Sequence, residues 1–93
     1  MLNEEEIENM LEAVATTADD LSRNKIGALI VFERETGLDD YIETGIQIDG
    51  LISTALFENI FIPNTPLHDG AVIIRGNRIA AASCLLPLTE ARN

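Results

Sequence analysis

A nearly continuous apolar run, Ile26 to Glu33 (IGALIVFE), limits the folds that are open to this chain of 93 residues. The run is short and contains three β-branched residues, which is typical of a buried strand. A strand that is buried on both faces requires helices on both sides of its sheet. The run therefore predicts an α/β fold, and a chain of this length forms one small domain.

A helix is predicted before this strand, over residues 3–23. Asn3 is a suitable N-cap and Glu6 follows three residues later, as in a capping box. Apolar residues then recur at helical spacing and predict one packing stripe: Ile7, Met10, Leu11, Val14, Ala18 and Leu21. The acidic first turns either bind a partner or form a solvated helix start.

The second half of the chain predicts one more helix and a hairpin. The helix runs from about Leu51 to Ile60, with Asp49 as its cap. Ala71 to Ile74 and Ile79 to Leu86 are predicted strands, and Gly76-Asn77 between them is a two-residue hairpin signal. Pro87 is expected to stop the last strand, and 89–93 reads as a polar tail or a cut end.

This pattern gives two helices and about three strands, while Leu38 to Ile48 has no clear assignment. The last strand, Ile79 to Leu86, has no later partner in the chain and is expected to leave an apolar edge of the sheet open. We therefore expect the front part of a larger domain, completed by further chain or by another subunit.

Composition excludes several classes of function. Sixteen acidic against six basic residues give a net charge of -10, which argues against nucleic-acid binding and against attraction to anionic membranes. A single cysteine makes no internal disulfide, and one His with one Cys excludes a zinc site built from those residues alone. No apolar run reaches the roughly 20 residues of a membrane span.

The segment from Asn64 to Ala71 (NTPLHDGA) contains the residues best suited to chemistry. His68 offers an imidazole for a metal or a proton, Asp69 offers a carboxylate, and Gly70 permits close approach of a ligand to the backbone. A purely structural turn, in which Asp69 caps its own backbone, explains the same residues. The residues alone leave both interpretations open.

Two longer segments carry a family resemblance. NTPLHDGAVIIRGNRIAAASCLLPL resembles the core of the diadenylate cyclase domain, and GALIVFERETGLDDYIETG resembles the segment that precedes it. The resemblance extends from about Leu21 to Glu90 and is closest to the branch that preceding transmembrane helices anchor to the bacterial membrane. It implies an α/β fold with a mixed central β-sheet flanked by helices. Residues 1–93 would form a single partial domain that lacks the C-terminal part of the sheet.

The resemblance also implies an activity and its residues. Two ATP molecules, one on each of two domains in a face-to-face homodimer, would condense into cyclic di-AMP and two pyrophosphates. The family's Asp-Gly-Ala motif corresponds to Asp69, Gly70 and Ala71, with Asp69 near the ribose 3′-hydroxyl as the catalytic residue. His68 and Asp69 are implied as ligands of Mg²⁺ or Mn²⁺. The strand after the hairpin is implied to line the adenine pocket with Cys84, Leu85 and Leu86. Position 85 is often Tyr in this branch, so Leu85 would keep an apolar wall without a stacking ring.

One motif of the family is missing from these residues. An Arg-His-Arg motif that helps to bind the triphosphate does not occur in the 93 residues. The alternative function is therefore a nucleotide-binding or protein-interaction module without turnover. We expect a cytoplasmic domain, with the full-length protein at the cytoplasmic face of the membrane through segments outside this chain. Cys84 is either a redox thiol or, in an apolar strand, an inert buried one.

Overall fold

A computed structural model describes residues 2–86 of the chain; the predicted stop at Pro87 and the tail at 89–93 lie outside them. The elements in chain order are helix α1 (Glu4–Arg23), strand β1 (Leu29–Phe32), helix α2 (Asp39–Ile42), strand β2 (Ile46–Leu51), helix α3 (Thr54–Ile60), a 3₁₀ turn (Pro66–His68), and strands β3 (Ala71–Arg75) and β4 (Arg78–Cys84). The strands form one sheet in the order β1-β3-β4-β2, with β1 parallel to β3 and the other pairs antiparallel. The predicted α/β fold with a mixed sheet is confirmed.

Helix α1 begins as its sequence predicts. The Asn3 side chain accepts the Glu6 amide at 2.7 Å, and Glu6 accepts the Asn3 amide at 3.0 Å. The predicted apolar stripe is partly wrong, because Ile7 and Leu11 are 39% and 55% exposed. Leu21 is buried as predicted, but the other buried residues are Ala13 and Thr17, which precede it at a spacing of four. Small side chains at positions 13 and 17 allow this face to approach the core closely, which hydrophobicity alone does not indicate.

The region between Ile46 and Ile60 differs from the prediction. Helix α3 begins only at Thr54, and its N-cap is Ser53, whose side chain accepts the Leu56 amide at 3.0 Å. Asp49, the predicted cap, lies inside β2 with a positive φ of 52°. It is part of an irregularity between Gln47 and Gly50 where β2 has one residue more than β4. The Asp-Gly pair that looked like a helix start is therefore a bulge in a strand.

Strand β1 lies at one edge of the described sheet. It pairs with β3, and Leu29 and Phe32 at its ends are 51% and 37% exposed. The prediction of a strand buried on both faces was therefore wrong within residues 2–86, and β1 is also shorter than the apolar run. It pairs on one side only, with β3, whose first four residues are buried.

Strand β4 is an interior strand, which corrects the expected open edge. It pairs with β3 on one side and with β2 on the other. The end of the unassigned segment and the predicted helix start together form β2, so β4 has neighbours on both sides, and Ile79, Ala81 and Ala82 are fully buried. The predicted hairpin at Gly76-Asn77 is confirmed, since Arg75 pairs with Arg78.

Helices cover both faces of the sheet, as predicted. One core cluster combines Leu21 of α1 with Phe57, Ile60 and Phe61 in and just after α3, against Val72 and Ile74 of β3 and Ile79 and Ala82 of β4. The other face has a smaller cluster beneath α2: Ile42, Ala71, Ile73, Ala81 and Cys84. Within residues 2–86, no helix is long and apolar enough to cross a bilayer.

Candidate functional site

The loop before β3 fixes the orientation of His68. Nδ1 of its ring lies 2.5 Å from the Thr65 carbonyl oxygen, and the Thr65 hydroxyl donates to the Ile62 carbonyl at 2.8 Å. A carbonyl can only accept, so Nδ1 carries the proton and the neutral ring has its lone pair on Nε2. His68 is half-buried and the following Asp69 is exposed. The loop therefore carries one ring nitrogen and one carboxylate on consecutive residues.

Gly70 brings this loop against the end of β4. Its φ is +94°, and a Cβ added there would lie 2.8 Å from the Cys84 carbonyl oxygen and 2.9 Å from the Ser83 carbonyl carbon. Ala71, the next residue, pairs with Cys84 in the sheet. The structure therefore brings together the two segments that the sequence predicts for the site, residues 68–71 and 84–86.

Strand β4 reaches this position through two irregularities. Ile73 pairs with Ala81 and Ala71 pairs with Cys84, so β4 has one residue more than β3 over this interval. Ser83 within it adopts a left-handed φ of 58°. A second extra residue lies between Ile79 and Ala81. The bulge at Ser83 places Cys84 on the same face of the sheet as Ala71.

The three residues predicted as the adenine wall differ in exposure. The Cys84 side chain is buried, with 1% exposed, and burial raises the pKa of its thiol. This agrees with an inert structural thiol and not with a redox site. Leu85 is 68% exposed and Leu86 is half-buried. Cys84 therefore borders Gly70 through its backbone, while Leu85 has an apolar side chain available to a ligand.

The sequence prediction missed two residues that contact the end of β4. The Thr44 hydroxyl accepts the Leu85 amide at 2.8 Å, and Cβ on Gly45 would lie 2.5 Å from Sγ of Cys84. Both belong to the segment that the sequence left unassigned. The Thr-Gly pair directly after a short helix was the available signal, since such a glycine is often required where backbones approach closely.

The arginines beside the hairpin are paired with carboxylates. Arg75 donates to Glu33 through Nε and a terminal nitrogen at 2.7 and 2.9 Å, and also pairs with Asp39. The hydrogen bond from Arg75, and then the Leu38 amide, lower the pKa of Glu33 from 4.5 to about 2. Arg78 donates to Asp49 Oδ1 at 2.8 Å and to the Asp49 carbonyl at 2.7 Å. These arginines therefore stabilise turns and strand ends.

Residues 2–86 offer only part of a metal site. Within that range no group of three or more His, Cys, Asp or Glu side chains converges on one point. His68 and Asp69 are nevertheless consecutive residues, and the hydrogen bond from Nδ1 of His68 to Thr65 leaves Nε2 as the ring nitrogen that could bind a metal. Mg²⁺ in nucleotide enzymes is usually held by one or two side chains together with substrate phosphates and water. An imidazole and a carboxylate are side chains of the types that can hold a metal in this way.

Comparison with known proteins identifies close relatives in sequence. The family model described as DisA bacterial checkpoint controller nucleotide-binding (DAC) matches residues 15–93. Cyclic di-AMP synthase CdaA of Bacillus subtilis is 53% identical over 87 residues, covering 94% of this chain and 32% of that protein. A diadenylate cyclase of Listeria monocytogenes gives the same figures. The chain thus spans about a third of the length of these curated relatives.

Solved structures agree with this assignment. A double mutant of DacA from Staphylococcus aureus superposes with a TM-score of 0.90 at 52% identity, covering 94% of this chain and 58% of that one. A hypothetical membrane spanning protein from Bacillus cereus gives a TM-score of 0.80 at 42% identity, covering 86% of this chain and 39% of that one. The match of the family model over most of the chain, with more than half of the residues identical to two relatives, shows that the chain belongs to the DAC family.

Proposed function

We propose that this chain forms part of the ATP site of a diadenylate cyclase, an enzyme that condenses two ATP molecules into cyclic di-AMP and two pyrophosphates. The relatives named cyclic di-AMP synthase and diadenylate cyclase support this proposal at 53% identity. The observation that carries it is the close approach of Gly70 to Ser83 and Cys84. That approach places a histidine, a carboxylate and an exposed apolar side chain at one end of the β3–β4 hairpin.

In the proposed reaction, Asp69 acts on the ribose. Its carboxylate accepts the proton of the 3′-hydroxyl as that oxygen attacks the α-phosphorus of the ATP on a second domain. The new bond is 3′-oxygen to α-phosphorus, and the bond from the α-phosphorus to the bridging oxygen breaks, so pyrophosphate leaves with the electron pair. Two such transfers close the ring. The reaction depends chiefly on positioning, which a loop fixed at Thr65 and Gly70 supplies.

The remaining site residues bind and orient the nucleotide. Gly70 is exposed and has no side chain, so the nucleotide can approach the backbone there, while Ala71 is buried and supports this position from within β3. Leu85 and Leu86, beyond the buried Cys84, form an apolar wall for adenine. His68 and Asp69 would hold Mg²⁺ or Mn²⁺, which supplies charge neutralisation for the triphosphate. This is important because the chain itself has a net charge of -10.

The geometry of the reaction requires two sites that face each other. Each 3′-hydroxyl attacks a nucleotide on the other domain, so we propose a face-to-face homodimer as the active form. We also propose that the complete protein lies at the cytoplasmic face of the membrane, where its substrate ATP is found. The Bacillus cereus neighbour described as membrane spanning supports the membrane part of this proposal.

A second candidate is a module that binds a nucleotide or a protein partner without turnover. One observation favours it: Arg75 and Arg78, the described cations nearest the hairpin, are both engaged by carboxylates. Neither is therefore available to compensate a triphosphate.

The activity of the unaltered complete protein distinguishes the two candidates, and one substitution tests the role of Asp69. In the complete protein, Asp69→Asn keeps the size of the side chain and removes its charge, so we expect product formation to fall by more than ~100-fold. Chromatography of the nucleotides measures cyclic di-AMP, and calorimetry measures ATP binding. Asp40→Asn, an exposed carboxylate on α2, is the matched control and should retain activity. ATP binding without product from the unaltered protein would favour the second candidate.

A further inference from the structure

The Thr44 hydroxyl connects two parts of the chain that are far apart in sequence. Its oxygen accepts the Leu85 amide at 2.8 Å and donates its proton to the Tyr41 carbonyl at 2.6 Å. Tyr41 belongs to α2, which covers one face of the sheet, and Leu85 follows the last residue of β4. One side chain therefore ties the end of β4 to the helix that packs beside it.

This hydrogen bond acts where the strand pairing stops. Cys84 is the last residue of β4 and pairs with Ala71. The Leu85 amide is donated to a side chain instead of to a neighbouring strand. The direction of the chain at residues 85–86 consequently depends on Thr44.

Gly45, the residue after Thr44, allows the backbone to lie close to the end of β4. A Cβ at position 45 would lie 2.5 Å from Sγ of Cys84 and 3.1 Å from its Cα. Only glycine allows the backbone after Thr44 to lie so near β4. Residues 44–45 and Gly70 therefore both contact the segment 82–84, which leads directly into Leu85.

We propose that Thr44 is a positioning residue of the nucleotide site, holding Leu85 and Leu86 where they form the wall against the base. This inference rests on the proposed function, because it assumes that a nucleotide occupies the site. The Thr44 hydroxyl donates its single hydrogen bond to the Tyr41 carbonyl and accepts one from the Leu85 amide. It therefore acts through Leu85 and not on the ligand. Loss of the Thr44 hydroxyl should therefore weaken the contacts to adenine and leave the contacts to the phosphates unchanged.

The test compares three variants in the complete protein. Thr44→Val removes the hydroxyl at nearly constant volume, Thr44→Ser retains it, and Thr44→Ala is a second deletion in case valine disturbs folding. Thr36→Val, an exposed threonine in the turn after β1, is the matched control. The measurements are KM and kcat with ATP, and Kd for ATP and for inorganic tripolyphosphate by calorimetry.

We expect Thr44→Val and Thr44→Ala to raise KM and Kd for ATP by roughly 5- to 12-fold. A change of this size corresponds to the net free energy of one hydrogen bond. The kcat value and the Kd for tripolyphosphate should stay within about twofold, and Thr44→Ser should restore ATP binding. Unchanged ATP binding in both deletions, equal weakening of tripolyphosphate, or a serine variant as impaired as the valine variant would each overturn the proposal. An unaltered protein that binds no ATP would overturn the proposed function, and this inference with it.

Discussion

Gly70 and Cys84 are in contact through their backbones, at a distance that excludes any side chain at position 70. A Cβ on Gly70 would lie 2.8 Å from the Cys84 carbonyl oxygen, closer than such atoms normally approach. This contact joins the His68-Asp69 loop to the end of β4. It is the feature on which the candidate site depends.

Gly70→Ala should therefore destabilise the protein strongly. The added methyl group would overlap backbone atoms of Ser83 and Cys84. Alanine would also have to adopt a φ of +94°, which is unfavourable for any residue with a side chain. We expect the free energy of unfolding to fall by about 2–4 kcal/mol, measured by chemical denaturation. Gly76→Ala is the matched control, because φ there is also positive, at +65°, but nothing lies within 4 Å of the added Cβ. Equal losses for the two variants would show that the close approach to Cys84 contributes nothing.

The bulge residue Ser83 gives a second prediction. Its left-handed φ of 58° is unfavourable for most side chains and worst for β-branched ones. Ser83→Gly should keep or slightly raise stability, whereas Ser83→Val should lower the free energy of unfolding by about 1–3 kcal/mol. Thermal unfolding of both variants measures the difference. A valine variant as stable as the glycine variant would contradict a left-handed conformation at this position.

Thr17 offers a stabilising substitution. It is fully buried, and within the described residues its hydroxyl has no hydrogen-bond partner. Thr17→Val removes that unpaired group at nearly constant volume, so the free energy of unfolding should rise by about 1 kcal/mol. Thr16→Val, exposed on the same helix, should not produce this gain. A loss of stability on Thr17→Val would indicate that the hydroxyl is hydrogen-bonded after all.

The Glu33–Arg75 pair predicts a dependence of stability on pH. The pKa of Glu33 is lowered to about 2 from its ordinary value of 4.5, and its side chain is only 11% exposed. A lowered pKa means that the folded state binds this proton more weakly than the unfolded state, so its stabilisation is complete above pH 5 and is lost as the pH falls toward 2. The advantage of the unaltered protein over Glu33→Gln should therefore shrink over that interval in denaturation measurements.

Glu35→Gln, an exposed residue of the same turn, is the control for this pH series. Its stability relative to the unaltered protein should change little between pH 5 and pH 2. If the two variants behave alike, the ion pair with Arg75 is not the origin of the effect.

Local signals in the sequence predicted the elements that depend on local contacts. The capping box at Asn3 and Glu6 and the hairpin turn at Gly76 were both predicted correctly, since each is made by residues a few positions apart. The Asp-Gly-Ala motif was located by resemblance, and its role stays a prediction; the close approach of Gly70 to Ser83 and Cys84 was not predicted from the sequence.

Elements that depend on distant partners were predicted less well. Strand β2 was missed because Asp49 and Gly50 favour a turn or a helix start, and only pairing with β4 makes them part of a strand. The burial of β1 was overestimated because an apolar run does not indicate how many neighbours a strand has. Thr44 was missed since its function depends on a contact with Leu85, 41 positions later.

The order of the strands separates the chain into parts that can assemble at different times. The β3–β4 hairpin closes through a two-residue turn, so the pairing of Ala71 with Cys84 forms by a local event, whereas the Thr44–Leu85 hydrogen bond spans 41 positions. Strand β1 can pair with β3 only after a long loop has closed. Glu33, next to the end of β1, and Arg75, at the end of β3, are 42 positions apart in the chain. Folding should thus begin at the site and finish at the edge. When the complete chain refolds, the Gly70–Cys84 contact should therefore form before the parallel pairing of β1 with β3 is complete.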